Sequence, residues 1–251
     1  MSKVIVITGA GSGLGRALAI RLAKDGEQVV LLGRTLSKLQ KVADEIGERA
    51  LAVPCDIASP DQVRTAFAAI AERHPKIDVL INNAGIFIPS LIAEASDDLI
   101  VRTINTNLTG AILCTRSAIG MMGFGGYIIN ITSESVELPF AQLALYQASK
   151  AGLERFSKSL LREIEDQGIR VTFVRAGQMF GEGSQGLDGV EPEVLMAFAQ
   201  ACLERGLNIL QRPLSDFPSV TTIIRTLIDL PADIQAEGVT LHARTATAPT
   251  Q

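Results

Sequence analysis

Tyr146 and Lys150 stand four residues apart, and Ser133 lies thirteen positions before the tyrosine. Four residues make about one helical turn, so on a helix the phenol and the ammonium project from one face. A phenol ordinarily ionises near pH ~10, too high for ready proton exchange at neutrality. A nearby ammonium favours the phenolate and lowers that value, which would make the pair a general acid/base. The same spacing also arises on any amphipathic helix with a solvated lysine. Its meaning therefore rests on what the rest of the chain places around it.

The second group with chemical potential is Gly9-Ala10-Gly11-Ser12-Gly13-Leu14-Gly15. It follows an apolar β-branched run, Val4-Ile5-Val6-Ile7, and precedes the helical pattern Arg16 to Ala23, closed by Gly26. Strand, glycine turn and helix form the first half of a βαβ unit. Glycines let a backbone approach a pyrophosphate, and a helix N-terminus offers free N–H groups at a positive dipole end. The spacing is neither the G-x-G-x-x-G of dinucleotide folds nor the G-K-[ST] of a phosphate loop. A mere tight turn is the competing reading.

The elements that must position these groups alternate. Strands are expected at Gln28–Leu32, Ala50–Cys55, Ile77–Ile81, Gly126–Ile131, Ile169–Val174 and Gly238–His242. Helices are expected at Leu36–Gly47, Asp61–Arg73, Ser96–Gly120, Gln142–Gln167, Glu193–Arg205 and Val220–Leu230. The pattern predicts an α/β fold in one domain, a doubly wound parallel sheet of about seven strands. Several polar residues fall where strands end. Arg34 after the second strand, in place of the acidic residue that binds a ribose 2′-OH, suits a 2′-phosphate, or is simply solvated. Asp56 could take an adenine amino group, or could cap the next helix, a role Ser59 could also fill. Asn82 and Asn83 are suited to fixing backbone or lining a cofactor cleft. Asn105 and Asn107 interrupt a long helix, so each is either exposed or has an interior task. Beyond the sixth strand, residues 177–189 hold five glycines. With the apolar helix after them they read as a lid at about 177–213 over an apolar ligand, or as a helix packed into a core or subunit interface.

Composition narrows the partners. The 47 % hydrophobic content suits a sheet covered on both faces. A net charge of −4, 4 % aromatics and no Trp argue against a nucleic-acid partner. Three scattered cysteines and two histidines support neither a disulfide framework nor a zinc site. No apolar run approaches membrane-spanning length. The expectation is a cytoplasmic protein with a small-molecule partner.

Taken together, Thr8-Gly9-x-x-x-Gly13-x-Gly15, Asn82-Asn83-Ala84-Gly85, Asn107-Leu108-Thr109-Gly110, Ser133 and Tyr146-x-x-x-Lys150 resemble the short-chain dehydrogenase/reductase family. The resemblance covers Lys3 to about Val174 well and the remainder loosely. It implies a Rossmann-type sheet, a nicotinamide cofactor, and interconversion of a hydroxyl and a carbonyl group. By that resemblance Tyr146 is the acid/base, Lys150 lowers its pKa and holds the nicotinamide ribose, Ser133 binds the substrate oxygen, and Asn107 holds a water in a relay toward Lys150. Thr8, Gly9, Ser12, Gly13, Leu14 and Gly15 would form the pyrophosphate region, Arg34 the 2′-phosphate site, and Asp56 and Ile57 the adenine site. Asn83, Ala84, Gly85 and Gly177 would complete the cofactor contacts. NADP(H) is expected over NAD(H), and a homodimer or homotetramer over a monomer.

The chain also departs from the family's pattern. Ala176-Gly177 replaces Pro-Gly, Gly181 stands where a Thr contacts the carboxamide, and Ala243-Arg244-Thr245 replaces Asp-Gly-Gly. Glu134 and Glu137 beside Ser133 could select a cationic substrate group or be solvated. A non-catalytic NADP(H) sensor or scaffold and an NAD-preferring dehydrogenase are the alternative functions.

Overall fold

The computed structural model describes residues 2–181 and 190–244. Seven strands form one parallel sheet: β1 (Val4–Thr8), β2 (Gln28–Gly33), β3 (Ala50–Pro54), β4 (Val79–Asn82), β5 (Tyr127–Ser133), β6 (Arg170–Ala176) and, last in the chain, β9 (Gly238–Leu241). Their spatial order is β3-β2-β1-β4-β5-β6-β9. The inner strands β1, β2, β4, β5 and β6 are buried on both faces, which explains their continuous apolar runs, while the edge strands β3 and β9 are more exposed. Alternate residues feed two cores. Ile5, Ile7, Val29, Leu31, Ile81 and Ile129 pack beneath α1 (Gly13–Lys24), α2 (Leu36–Ile46) and α8 (Phe217–Ile228). Val6, Val30, Leu32, Leu80 and Ile128 face α3 (Pro60–Arg73), α5 (Gly110–Ile119) and α6 (Ala144–Glu163).

The strand order reverses between β1 and β4, which opens a crevice at the carboxyl ends of those strands. Thr8 closes the back of it. Its Oγ1 accepts from the Asn83 and Ala84 amides at 3.0 and 2.9 Å, while Asn83 Nδ2 donates to the Thr8 carbonyl at 3.0 Å. Asn82 turns the other way. It is 3 % exposed, and its Nδ2 donates to Thr115 Oγ1 and Asn130 Oδ1, both at 2.9 Å. Through these Nδ2 bonds the buried amide ties β4 to β5 and α5, while its Oδ1 has no partner among the described residues.

Three details differ from the sequence expectation. The helix expected over Ser96–Gly120 begins as α4 (Asp97–Ile104), capped by Ser96, and passes through a π turn at Asn105–Thr109 into α5. The wider turn inserts a residue into the helical register, and Asn107 within it is fully buried. The expected apolar helix is α7 (Pro192–Leu203). An unforeseen two-stranded parallel ribbon, β7 (Met179–Phe180) with β8 (Ser215–Asp216), follows the sixth strand. Two-residue strands carry too little periodicity to be visible in sequence. No helix among the described residues is long and apolar enough to cross a membrane. Residues 182–189 of the glycine-rich segment, and Thr245, lie outside the described residues.

Candidate active site

A cleft of about 330 Å3 runs along the carboxyl edge from the glycine turn to Ile86. Gly9, Ser12, Arg34, Asp56, Ile57, Asn83, Ala84 and Gly85 of the expected cofactor residues line it. Thr8, Gly13, Leu14 and Gly15 support it from behind. Gly9 has φ +69°, and a Cβ there would stand 2.9 Å from the Ala84 Cα. A Cβ on Gly15 would collide with the Gly9 carbonyl, so the glycine is what lets α1 dock against the turn. Leu14 is a core residue. The first turn of α1 carries no acidic residue, and Ser12 at its N-cap makes no side-chain cap. Those backbone N–H groups therefore face the cleft uncapped, as an anion site requires.

At the far end, Arg34 is joined by Thr35 and Lys38, neither foreseen from sequence. Lys38 lies in the first turn of α2, four residues beyond Arg34. Asp56 is the one acidic residue in the described lining. Its two candidate roles are now separated: Ser59 caps α3 by accepting from the Gln62 amide, while Asp56 Oδ1 accepts from the Ala58 amide at 3.0 Å, beside the cleft. Uncapped amides, closely approachable glycines and two exposed cations at the ribose end fit a nicotinamide dinucleotide.

The residues expected to be catalytic converge near the Gly85–Ile86 end of the cleft. α6 places Tyr146 and Lys150 one turn apart, with Lys150 Nζ 5.8 Å from the centre of the Tyr146 ring. β5 delivers Ser133 to the same region, where its hydroxyl acts on the phenol to lower its pKa. Ser133 Oγ also accepts from the Ser135 amide at 3.1 Å. Asn107 Oδ1 accepts from the Ile86 amide at 2.8 Å, and its Nδ2 donates to the Ile86 carbonyl and to Ser149 Oγ. Ser149 in turn donates to the Tyr146 carbonyl at 2.7 Å, a link between Asn107 and α6 that the motif had not revealed. A Cβ on Gly85 would stand 3.3 Å from Asn107 Oδ1 and 3.4 Å from Lys150 Nζ, so the missing side chain leaves those two groups facing a shared space.

The electrostatics correct one expectation. Burial pushes the Tyr146 phenol up to about 12, and the Ser133 hydroxyl opposes that rise. Lys150 does not outweigh that rise here. Its ammonium, 4 % exposed, donates to the Ile131 carbonyl at 2.8 Å, and burial pushes it down to about 8. Without a bound cofactor the low dielectric outweighs the cation, so the phenol holds its proton.

Toward the substrate side, the Phe87 ring meets Tyr146 edge-on at 5.0 Å and Phe198 of α7 at 5.8 Å, while Phe140 stacks on Phe198 at 6.1 Å. Leu143, Ala199, Cys202 and Ile209 complete this apolar cluster. Gln142, between Phe140 and Leu143, holds φ +52°, an uncommon conformation for a non-glycine residue. The two glutamates beside Ser133 differ: Glu137 is exposed, as a solvated loop carboxylate would be, whereas Glu134 is buried. Glu134 is 3 % exposed and pairs with Arg212 at 2.7 Å, and Glu137 pairs with Arg175 at 2.8 Å. Gly177 lies apart from the cleft lining, where a Cβ would press on the Leu241 carbonyl at 2.7 Å and the Glu134 carboxylate at 3.3 Å.

Comparisons with known proteins agree with this geometry. The sequence profile of the short chain dehydrogenase family matches residues 3–185. "Carbonyl reductase family member 4" of Danio rerio is 34 % identical over 189 residues, 74 % of this chain and 80 % of the relative. A "putative ketoacyl reductase" of Streptomyces coelicolor is 36 % identical over 183 residues, 70 % of each chain. Among solved structures, a short chain dehydrogenase from Burkholderia cenocepacia in complex with NADP superimposes with a TM-score of 0.79 at 28 % identity, over 96 % of both chains. The 3-ketoacyl-(acyl-carrier-protein) reductase of Brucella melitensis complexed with NADH does so at 0.78 and 28 %, over 95 % of this chain and 96 % of that one. A glycine turn opening a reversed strand order, and a Ser–Tyr–Lys–Asn set at its far edge, thus coincide with a match over most of the sequence: the chain belongs to the short-chain dehydrogenase family of nicotinamide-dependent oxidoreductases.

Proposed function

We propose that the protein is an NADP(H)-dependent oxidoreductase that interconverts a hydroxyl and a carbonyl group on an apolar substrate, with Tyr146 as the general acid/base. The observation that carries this reading is the phenol of Tyr146. It feels the Ser133 hydroxyl, is backed by Lys150 one turn away, and is set against the Phe87–Phe198 wall. A bound nicotinamide supplies or accepts the hydride. The chain's own residues orient and manage the proton. Ser133 and Tyr146 converge on the substrate oxygen; the protonated phenol gives its proton to that oxygen as the carbonyl is reduced, and takes one from the hydroxyl in reverse. Lys150 lies behind the ring as the cation that stabilises the phenolate. Asn107 anchors Ile86 to α6 and faces Lys150 across Gly85, as a relay requires.

NADP(H) is favoured over NAD(H) because Arg34 and Lys38 flank the cleft while no acidic side chain stands at the end of β2. The span from Gly177 to about 213, with α7 at its centre, is read as the substrate cover of a single catalytic domain. Exposed Ile92 and Val101, on and beside α4, suit association of two or four copies, measurable by light scattering.

The test is NADPH oxidation with a panel of aryl and alkyl ketones and aldehydes. Tyr146→Phe is expected to lower kcat by about 10²–10⁴-fold, the usual contribution of a positioned acid. Full activity in that variant would remove Tyr146 from the mechanism. Tight NADPH binding with no turnover on any carbonyl would favour a cofactor sensor instead.

A further inference from the structure

Glu134 is the one buried carboxylate at the substrate side of the site whose task the mechanism leaves open. It follows Ser133 directly, and its Oε2 accepts from Arg212 Nη2 at 2.7 Å and lies 2.8 Å from His242 Nδ1. The Gln178 amide donates to Oε1 at 3.3 Å. Four segments far apart in sequence therefore meet on one side chain: the end of β5, the exit of β6, the loop between α7 and β8, and the residue after β9. A buried ion pair is not an economical way to fill space, because an apolar side chain would pack there without the cost of desolvating charge. What the charge adds is a fixed arrangement.

That arrangement reaches both reacting side chains. On one side, Glu134 opens the short 3₁₀ turn Glu134–Val136, and the Ser135 amide in that turn donates to Ser133 Oγ. On the other, the Arg212 guanidinium lies 5.8 Å over the Phe140 ring. Phe140 stacks on Phe198 of α7, Phe198 meets Phe87, and Phe87 meets Tyr146. A closed circuit of contacts runs from Ser133 through Glu134, Arg212 and α7 back to Tyr146.

We propose that Glu134 is a positioning residue: through Arg212 it docks α7 and, through the turn it begins, it orients Ser133, so that one carboxylate sets the spacing of the substrate oxygen's two partners. This rests on the reading of Ser133 and Tyr146 as those partners. Arg212 is the second member of the device, and Gln178 and His242 brace it from β6 and β9.

Two measurements on the full-length protein test it. The first is amide hydrogen exchange in the free protein and needs no turnover. Glu134→Gln keeps the size but turns an N–H group toward Arg212. It is expected to speed exchange in α7 and around Arg212 by about tenfold, while α1 and α2 keep their wild-type rates. Arg212→Met should reproduce that pattern, and Arg212→Lys should restore part of the protection, since an ammonium can still pair with Glu134. Unchanged exchange in α7 and around Arg212 in both Glu134→Gln and Arg212→Met overturns the proposal.

The second measurement is steady-state reduction of the ketone panel. Displaced partners are expected to lower kcat by about 10²-fold in Glu134→Gln. Arg212→Met should mainly raise KM, and NADPH affinity should hold in both. The double variant should be no worse than the worse single one, because the two act as a unit. Wild-type kcat and KM in Glu134→Gln, with Tyr146→Phe inactive, would overturn the positioning role. Full activity in Tyr146→Phe would instead remove the functional reading, and the exchange pattern would still decide whether Glu134 docks α7. If Glu134→Gln does not fold, the Arg212→Met and Arg212→Lys pair carries both measurements.

Discussion

The glycine turn and the Glu134 cluster lie on one sheet edge but are assembled in opposite ways. At the turn, backbone does the work: Gly9 and Gly15 allow main chain to touch main chain, the Thr8 hydroxyl takes two amides, and the uncapped start of α1 faces the cleft. At the Glu134 end, side chains do it, and they come from partners 44, 78 and 108 residues away. The comparison teaches that a cofactor common to a whole family can be held by main-chain geometry, which tolerates wide sequence change so long as the glycines stay. The Glu134 end is specified instead by long-range side-chain contacts, which need residues from three distant segments to be present together.

That contrast can be broken or sharpened by substitution. The largest effect is expected for Gly15→Ala. Its methyl group cannot fit beside the Gly9 carbonyl, and undocking the start of α1 should weaken NADPH binding by at least about 10²-fold, or ~3 kcal/mol, as read by calorimetry. Binding within a few-fold of wild type would show that the turn can yield.

Lys150 probes the seam between the two ends. Its pKa is near 8 in the folded protein against the ordinary 10.5 of a lysine, so between those values the unfolded chain binds more protons than the folded one. Stability of the free protein should therefore rise with pH across that window, by up to about 3 kcal/mol from this group. Below pH 8 the buried ammonium is an unrelieved cost. Lys150→Met should flatten the rise in denaturation midpoint between pH 8 and 10.5, and should lower kcat as well. A slope identical to wild type would mean that the ammonium is not desolvated.

At the substrate end, Phe198→Ala removes the ring that joins Phe87 to Phe140. KM for apolar ketones should rise about tenfold, or ~1.4 kcal/mol, with NADPH affinity unchanged. A loss of cofactor affinity instead would erase the distinction between the ends. The smallest effect is expected for Arg34→Asp. Because Lys38 remains, the ratio of NADP to NAD affinity should fall by about tenfold or less, and Lys38→Ala added to it should lower the ratio further. An unchanged ratio in both would move the 2′-phosphate site elsewhere.

Much of this was legible from local pattern. The apolar runs of β1, β2, β4 and β5, the glycines between β1 and α1, and the four-residue step from Tyr146 to Lys150 are properties of short stretches. Strand, turn and helix follow from a few neighbours. The π turn at Asn105–Thr109 was not legible, because an inserted residue in a helix leaves no periodic trace over five positions. Nor was the state of Glu134. A carboxylate in a loop reads as solvated until the partners that bury it are known, and Arg212 and His242 are nowhere near it in sequence. The phenol of Tyr146 was misjudged for a related reason: its ionisation depends on how much water the fold leaves around it and on where the Lys150 ammonium points, and neither is set by a four-residue spacing.

Sequence alone determined the parallel doubly wound sheet and the glycine turn at its opening, because each is encoded by short-range periodicity, while the Ser–Tyr–Lys–Asn set was picked out only by its resemblance to a family's pattern. Only the tertiary structure decided that the phenol keeps its proton, that Lys38 stands beside Arg34, and that a buried carboxylate next to Ser133 gathers three distant segments. Burial and long-range pairing are properties of the packed whole, and they set the charges and contacts with which the site meets its substrate.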